Sequence, residues 1–270
     1  MDANTHFRRG LELIARNDYS EAIDAFDKAI EIKPDFAEAW LNRGAVLGKL
    51  GYAAEEMASY DKAISLKQDY VEAIFVKANA LERAGQPEDA LALYESIVEL
   101  KPDFFQGWLI VGIISGRLDR FERSLTAFDH ALALKPDSID ALSNKGVVLE
   151  RTGRLQEALA VQGKALGINP SYAEGWYNKG VVLAALGRME EAFEAYNTVI
   201  KINPKFHFAY YNLACLYALR GLKAEALRNL KTALELHKDF ALLARTDVDF
   251  ASLADDPSFN ALTQGGKSHP

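Results

Sequence analysis

The feature that most constrains this chain is a period of 34 residues that runs through most of its length. Aligned in rows of 34 from Ala3, the sequence fills seven rows without a gap, and the last row ends at Phe240. Similar residue types recur at the same places in each row. A period of this size indicates a stack of small units, none of which can bury its apolar side without a neighbour.

The sixth row, 173–206, indicates that each unit is a pair of antiparallel helices. Its apolar and small residues recur at spacings of three and four, which places them on one face of a helix. Gly187 follows the first stretch, where a left-handed residue ends a helix, and Pro204 follows the second, where a helix must stop. Small residues of one helix leave space into which large residues of the other can pack. The residues that form these apolar faces are Trp176, Gly180, Leu183, Ala192, Tyr196 and Val199.

This pattern resembles the tetratricopeptide repeat, a helix hairpin of 34 residues with aromatic, small and proline residues at set positions. The resemblance implies an all-α fold, an α-solenoid in which tandem antiparallel hairpins form a right-handed superhelix. The seven predicted repeats are then 3–36, 37–70, 71–104, 105–138, 139–172, 173–206 and 207–240. Residues 241–264 resemble the helical cap that closes such arrays, and we expect a disordered tail at 265–270.

Two rows depart from the pattern. The fourth has Ser115 and Gly116 late in its first helix, and the fifth has Gln162 where other rows carry a large apolar residue, with Gly163 and Gly167 close by. A glycine inside a helix costs about 1 kcal/mol relative to alanine. We therefore expect faster amide exchange in 107–117 and 159–168 than in 178–200.

Composition narrows the partner classes. The net charge of −7 and the pI near 5.4 disfavour nucleic acid, which requires a basic surface. No apolar run reaches the roughly 18 residues of a membrane span, so the chain is expected to act without a membrane. The first residues open directly into the first repeat and lack the pattern of a secretory signal. We therefore expect a cytoplasmic protein.

The sequence lacks the residue patterns of catalysis and of metal binding. Its five histidines are scattered, and the single cysteine, Cys215, excludes a disulfide framework and a multi-cysteine metal site. The segment ALTQGGKS is only superficially similar to a phosphate-binding loop, because Ala261 replaces the first glycine. We expect no enzymatic activity, no catalytic residues, no metal site and no cofactor.

The resemblance also implies where a partner would bind. In tetratricopeptide repeats the first helix of each hairpin lines the concave groove, and certain of its positions contact peptides. The candidates at the fifth and ninth places of the rows are mostly apolar: Leu41, Phe75, Asn79, Leu109, Ile113, Tyr177 and Tyr211. The alternative is that neighbouring helices cover several of these side chains. An acidic edge adjoins them at the second place of the rows and includes Glu38, Glu72, Asp140 and Glu174.

Asparagines at the sixth place form a possible peptide clamp. They are Asn42, Asn144, Asn178 and Asn212, the last three in consecutive rows. An amide both donates and accepts hydrogen bonds, so a row of amides can hold an extended backbone. The alternative is that asparagine is simply common at this place in such repeats.

These features favour a non-catalytic scaffold or adaptor that binds a peptide or helix of another protein through apolar anchors and some positive charge. Acidic C-termini of heat-shock chaperones are disfavoured as partners, because the lysines and arginines that grip them are missing and Glu72 would repel a carboxylate. Two alternatives to the adaptor stay open. In the first, the chain is a self-assembling structural protein that forms homo-oligomers. In the second, it is the regulatory subunit of an enzyme on another chain.

Overall fold

A computed structural model describes residues 1–264, which form sixteen α-helices and one 3₁₀-helix. The segment 265–270, for which a disordered tail is expected, lies outside the described residues. No strand occurs within 1–264, and the helices follow one another as tandem hairpins, which confirms the all-α prediction. The chain divides into two compact units, an N-terminal unit of residues 1–135 and a C-terminal unit that begins at Pro136.

The N-terminal unit contains four hairpins. Their helices are α1 (Ala3–Ala15), α2 (Tyr19–Ile32), α3 (Ala37–Leu50), α4 (Ala53–Leu66), α5 (Val71–Arg83), α6 (Pro87–Leu100), α7 (Phe105–Arg117) and α8 (Phe121–Leu134).

The C-terminal unit contains three hairpins and a short terminal segment. The hairpin helices are α9 (Ile139–Arg151), α10 (Leu155–Ile168), α11 (Ala173–Ala185), α12 (Met189–Ile202), α13 (His207–Leu219) and α14 (Lys223–Leu236). The terminal segment comprises α15 (Phe240–Thr246), the 3₁₀-helix Val248–Leu253 and α16 (Pro257–Gln264).

Each hairpin turns at one residue in the left-handed region. Five of the seven turn residues are glycines, such as Gly187 with φ of 73°, and the other two are Asn17 and Asp119. Asparagine and aspartate tolerate this conformation better than other residues with a side chain. Because a residue that favours the left-handed region recurs at this position, every first helix ends within one residue of the same place in its row.

Contacts between small and large residues close the two helices of a hairpin. A Cβ added at Gly180 would lie 2.5 Å from the ring of Tyr196, and one added at Gly112 would lie 2.6 Å from the ring of Phe128. These rings are buried, and their close approach explains why small residues recur opposite them. The glycines Gly107 and Gly112 are also closely packed, and the mobility expected for 107–117 stays a prediction.

Successive hairpins are also joined by hydrogen bonds from tryptophan. The indole Nε1 groups of Trp40, Trp108 and Trp176 donate to the carbonyls of Pro34, Pro102 and Pro170 at 3.1, 2.9 and 2.9 Å. Each bond ties the first helix of a hairpin to the loop that precedes it. The proline that ends one hairpin thereby helps to place the next.

Two glycines of the fifth hairpin provide a matched test of backbone preference. Neither Gly163, inside α10, nor Gly153, at a turn with φ of +74°, has an atom within 4 Å of an added Cβ. Gly163→Ala should stabilise the protein by about 1 kcal/mol, because alanine is the better helix former. Gly153→Ala should destabilise it by about 1–2 kcal/mol, because the left-handed region disfavours a Cβ. Urea unfolding measures the free energy of unfolding of each variant. Equal changes in the same direction would contradict the helical backbone assigned to Gly163 and the left-handed backbone assigned to Gly153.

Candidate functional site: the first-helix faces

The first helices of the hairpins form a shared face in each unit, which we call the first-helix face. In the N-terminal unit α3 contacts α5 directly, and in the C-terminal unit α9 contacts α11. In each case two first helices touch although the second helix of a hairpin lies between them in the sequence, so their exposed sides form one surface. The predicted binding residues lie on these helices and differ in how far they are covered.

In the N-terminal unit the apolar candidates are largely packed against their own hairpins. Phe75 meets Tyr94 and Phe104 edge to face, with ring centroids 5.7 and 6.0 Å apart. Asn79 accepts a hydrogen bond from the hydroxyl of Tyr94. Leu109 is buried, whereas Leu41 and Ile113 are partly exposed. Only part of the predicted apolar surface is therefore accessible in this unit.

The four candidate asparagines all use their amide donors within the chain. Asn42 and Asn144 each donate from Nδ2 to a carbonyl of their own helix, at Glu38 and Asp140, both at 2.8 Å. Asn178 donates to the hydroxyl of Ser143 at 3.2 Å. Asn212 donates to the hydroxyl of Tyr196 at 3.1 Å. These contacts give each asparagine a structural role, and the peptide clamp stays a prediction.

The C-terminal unit presents an exposed aromatic group on its first-helix face. The ring of Tyr177 lies 5.2 Å from that of Phe206 and 6.0 Å from that of Phe208, measured between centroids. The side chain of Phe208 is 44% exposed. Burial raises the pKa of the Tyr177 phenol. An apolar surface with one polar tip is typical of aromatic binding sites.

Tyr211, expected on the groove floor, lies beneath the terminal segment. It is only 5% exposed, its ring lies 4.7 Å from that of Phe240, and its hydroxyl donates to Asp247 at 2.7 Å. Tyr211 lies on the helix predicted to carry it, and Phe240 holds the last place of its row, as Phe206 does in the row before. Asp247 and Phe250, which also cover Tyr211, follow the last repeat and carry no periodic pattern. Tyr211 therefore has a structural role in docking this segment.

A cluster beside Tyr211 brings together three groups of the kinds that ligate metals, although their spacing along the chain matches no metal-binding pattern. The ligand atoms of Cys215, Asp247 and Asp249 lie within 4.8 Å of one another. The thiol of Cys215 points at Asp247, with 3.8 Å between sulfur and oxygen. Burial and the nearby carboxylates raise the pKa of Cys215, which opposes the thiolate that a metal needs. We interpret the cluster as a hydrogen-bonded support for the terminal segment.

A cavity that sequence reasoning did not identify opens between α9, α10 and α11. Its volume is about 180 Å³, and its lining residues are Gly146, Val147, Glu150, Gln162, Tyr177, Asn178, Val181 and Val182. Tyr177 and Asn178 were predicted binding residues, so the cavity adjoins the proposed site. The signal that marks it in the sequence is Gln162 itself, the polar residue at a place where other rows carry a large apolar side chain.

Two larger cavities lie in the N-terminal unit. One, of about 340 Å³, lies between α3, α4 and α5 and includes Asn79; on its wall the buried Glu56 forms an ion pair of 2.6 Å with Arg83. The other, of about 390 Å³, is bordered by the stacked rings of Trp108 and His130. This second cavity is lined by α6, α7 and α8, and it includes none of the predicted binding residues.

The fold and the first-helix faces define a helical-repeat protein of the kind that presents a surface to other proteins. Family models of the tetratricopeptide repeat match residues 10–51, 37–70, 75–115, 116–173, 173–206 and 195–228. The chain therefore belongs to the tetratricopeptide repeat family, which confirms the resemblance seen in the sequence. Proteins with this fold are generally protein-interaction scaffolds.

Individual relatives are distant. An uncharacterized protein of Methanocaldococcus jannaschii is 35% identical over 49 residues, which are 18% of this chain and 57% of the relative. This chain thus matches little more than half the length of that relative.

Among solved structures, the C-terminal part of a tetratricopeptide repeat protein from Cytophaga hutchinsonii has a TM-score of 0.71 at 16% identity, covering 91% of this chain and 98% of its own. YrrB, described as having an unusual peptide-binding site, has a TM-score of 0.61 at 24% identity, covering 69% of this chain and 96% of its own. At these identities the similarity shows the fold.

None of the helices within residues 1–264 has both the length and the apolar character required to cross a membrane.

Proposed function

We propose that this chain is a non-catalytic adaptor whose first-helix faces bind a peptide or helix of a partner protein. The observation that carries the proposal is the aromatic group formed by Tyr177, Phe206 and Phe208, which is partly open to solvent beside the 180 Å³ cavity. Exposed apolar surface next to a few polar groups marks interaction sites. The peptide-binding site of YrrB, a protein with the same fold, supports this class of partner.

The partner is expected to be a protein segment with apolar anchors. The accessible part of the predicted surface comprises Leu41, Asn42, Phe75, Asn79 and Ile113 in the N-terminal unit, and Asn144, Tyr177, Asn178 and Asn212 in the C-terminal unit. Leu109 and Tyr211 are buried and are left out of this surface. Phe208 and Val147, both exposed on the same helices, are added to it.

Removing the Tyr177 ring is expected to weaken partner binding about tenfold or more, because truncated aromatic anchors commonly cost at least about 2 kcal/mol. The full chain is screened against a positional-scanning library of linear peptides, and the best peptide is titrated by fluorescence anisotropy. Tyr52→Ala serves as the control, since Tyr52 is an exposed aromatic residue at a turn away from the first-helix face. Unchanged affinity in a folded Tyr177→Ala protein would reject the assignment, and circular dichroism monitors folding.

A second candidate function is self-association through the terminal segment. Leu242, Leu243 and Val248 are exposed apolar side chains close together in sequence, on and just after α15. Such a surface favours contact with a second copy. Light scattering of the full chain at rising concentration tests this alternative, and a constant monomer mass would exclude it.

A further inference from the structure

The fifth hairpin contains an anomaly at its centre. Where other hairpins place a buried ring over a small residue, as Tyr196 does over Gly180, this one places Gln162 over Gly146. The side chain of Gln162 has no solvent exposure at all. Its Nε2 donates to the carbonyl of Ser143 at 3.2 Å, which fixes the orientation of the amide. One end of this buried glutamine is therefore satisfied by the protein.

The other end is unsatisfied. The Oε1 atom of Gln162 is buried and accepts no hydrogen bond from any residue within 1–264. A buried polar atom without a partner is destabilising, and such atoms are rare in folded proteins. Gln162 lines the 180 Å³ cavity on the first-helix face. The unsatisfied acceptor therefore belongs to a side chain that borders a space open to a visiting group.

The cavity has the dimensions of a site for one side chain. Pockets that take whole small molecules usually measure about 300–1,000 Å³, whereas this one measures about 180 Å³. Its apolar walls come from Val147, Val181 and Val182, with the ring of Tyr177 beside them. These walls suit an aliphatic stem.

The polar groups of the cavity favour a donor with positive charge. Glu150 is the only charged residue among those that line it, and it lies near enough to Tyr177 to contribute to the raised pKa of that phenol. The amide of Asn178 donates to Ser143, and no described residue donates to Oε1 of Gln162. The cavity thus combines an unpaired acceptor, a carboxylate and apolar walls.

We propose that this cavity binds a lysine or arginine side chain of the partner segment. The aliphatic stem lies along Val147 and Val181, and the positive charge faces Glu150. The amide of Gln162 is fully covered in the unbound chain, so it turns toward the cavity when the partner binds, and Oε1 then accepts a hydrogen bond from a terminal N–H. The inference rests on the proposed peptide-binding function and adds the chemistry of one residue that the partner must carry. Gln162 is then the residue that determines specificity in the fifth hairpin.

The test uses the same positional-scanning peptide library with the full chain and two variants. Gln162→Phe restores the ring found in other hairpins, fills the cavity and removes the acceptor, while Gln162→Met removes the acceptor with a flexible side chain of similar length. Both variants should melt at or above the wild-type temperature, because they remove an unsatisfied buried polar atom. The wild type should favour lysine or arginine at one peptide position. Gln162→Phe should abolish that preference, and Gln162→Met, which leaves Glu150 in place, should weaken it.

The best peptide is then compared with a copy in which norleucine replaces the selected basic residue. On the wild type this change should weaken binding about tenfold or more, as for other hydrogen bonds between charged and neutral groups. On Gln162→Phe it should make no difference, because the ring fills the cavity and the basic side chain then reaches neither Gln162 nor Glu150. On Glu150→Gln the replacement by norleucine should weaken binding less than it does on the wild type, because part of the interaction with the basic residue is already gone.

The outcomes separate the two proposals. Peptide binding without a basic preference, or an equal norleucine effect on wild type and Gln162→Phe, would overturn this inference while the adaptor function stands. Failure of the wild type to bind any library peptide would overturn the adaptor function, and this inference with it.

Discussion

Tyr196→Ala is expected to destabilise the protein by about 3–5 kcal/mol, the usual cost of deleting a buried ring. The ring of Tyr196 is fully buried against Gly180, and its hydroxyl accepts a hydrogen bond from Asn212 of the next hairpin. Truncation therefore opens a cavity within the sixth hairpin and leaves Asn212 with one fewer partner. In a repeat array such a loss also weakens the neighbouring interface.

Urea unfolding followed by circular dichroism measures this loss, and Tyr196→Phe is the matched control. The phenylalanine variant keeps the ring over Gly180 and loses only the hydroxyl, so its cost should be about 0.5–1.5 kcal/mol. The difference between the two variants isolates the packing of the ring. Equal losses for both variants would show that the contact between small and large residues does not hold the hairpin together.

The second large effect is expected at the terminal segment. The ring of Phe250 is fully buried, with its centroid 5.7 Å from that of Tyr211 and 5.5 Å from that of Phe259. Phe250→Ala should cost about 3–5 kcal/mol and should expose the buried faces of α13 and α14. The readouts are urea unfolding and amide exchange in α13, which should quicken when the segment undocks.

Val248→Ala is the control for this prediction. Val248 belongs to the same 3₁₀-helix and is 81% exposed, so its replacement should change stability by less than about 0.5 kcal/mol. If the two variants unfold at the same urea concentration, the terminal segment is not docked as described.

The helix hairpins are the part of the fold that the sequence predicts best. Period, turn residues and prolines predicted tandem helix pairs because they act over a few residues, and the backbone must obey them locally. Gly187 adopts the left-handed conformation at a turn, and the indole of Trp176 donates to the carbonyl of Pro170, only six residues earlier. The expected mobility of 159–168 stays a prediction, since Gly163 and Gly167 have no close contacts.

The candidate site was predicted less completely. Sequence reasoning chose the correct helices but not the accessible residues, because exposure depends on which neighbour covers a side chain. Tyr177 and Tyr211 occupy the same place in consecutive rows, yet only Tyr211 lies under the terminal segment. Asn178 and Asn212 show the same limit, since each donates to a hydroxyl on another helix that the sequence does not reveal.

The sequence by itself determined the helix hairpin and its repetition, because helix periodicity, turn chemistry and the pairing of small with large residues are properties of neighbouring positions. Tertiary structure alone decided which surfaces remain open. The burial of Tyr211, the gathering of Cys215 with Asp247, and the unsatisfied oxygen of Gln162 all arise from contacts between segments 16 or more residues apart. Such contacts depend on the packed geometry of several helices, which no local pattern specifies.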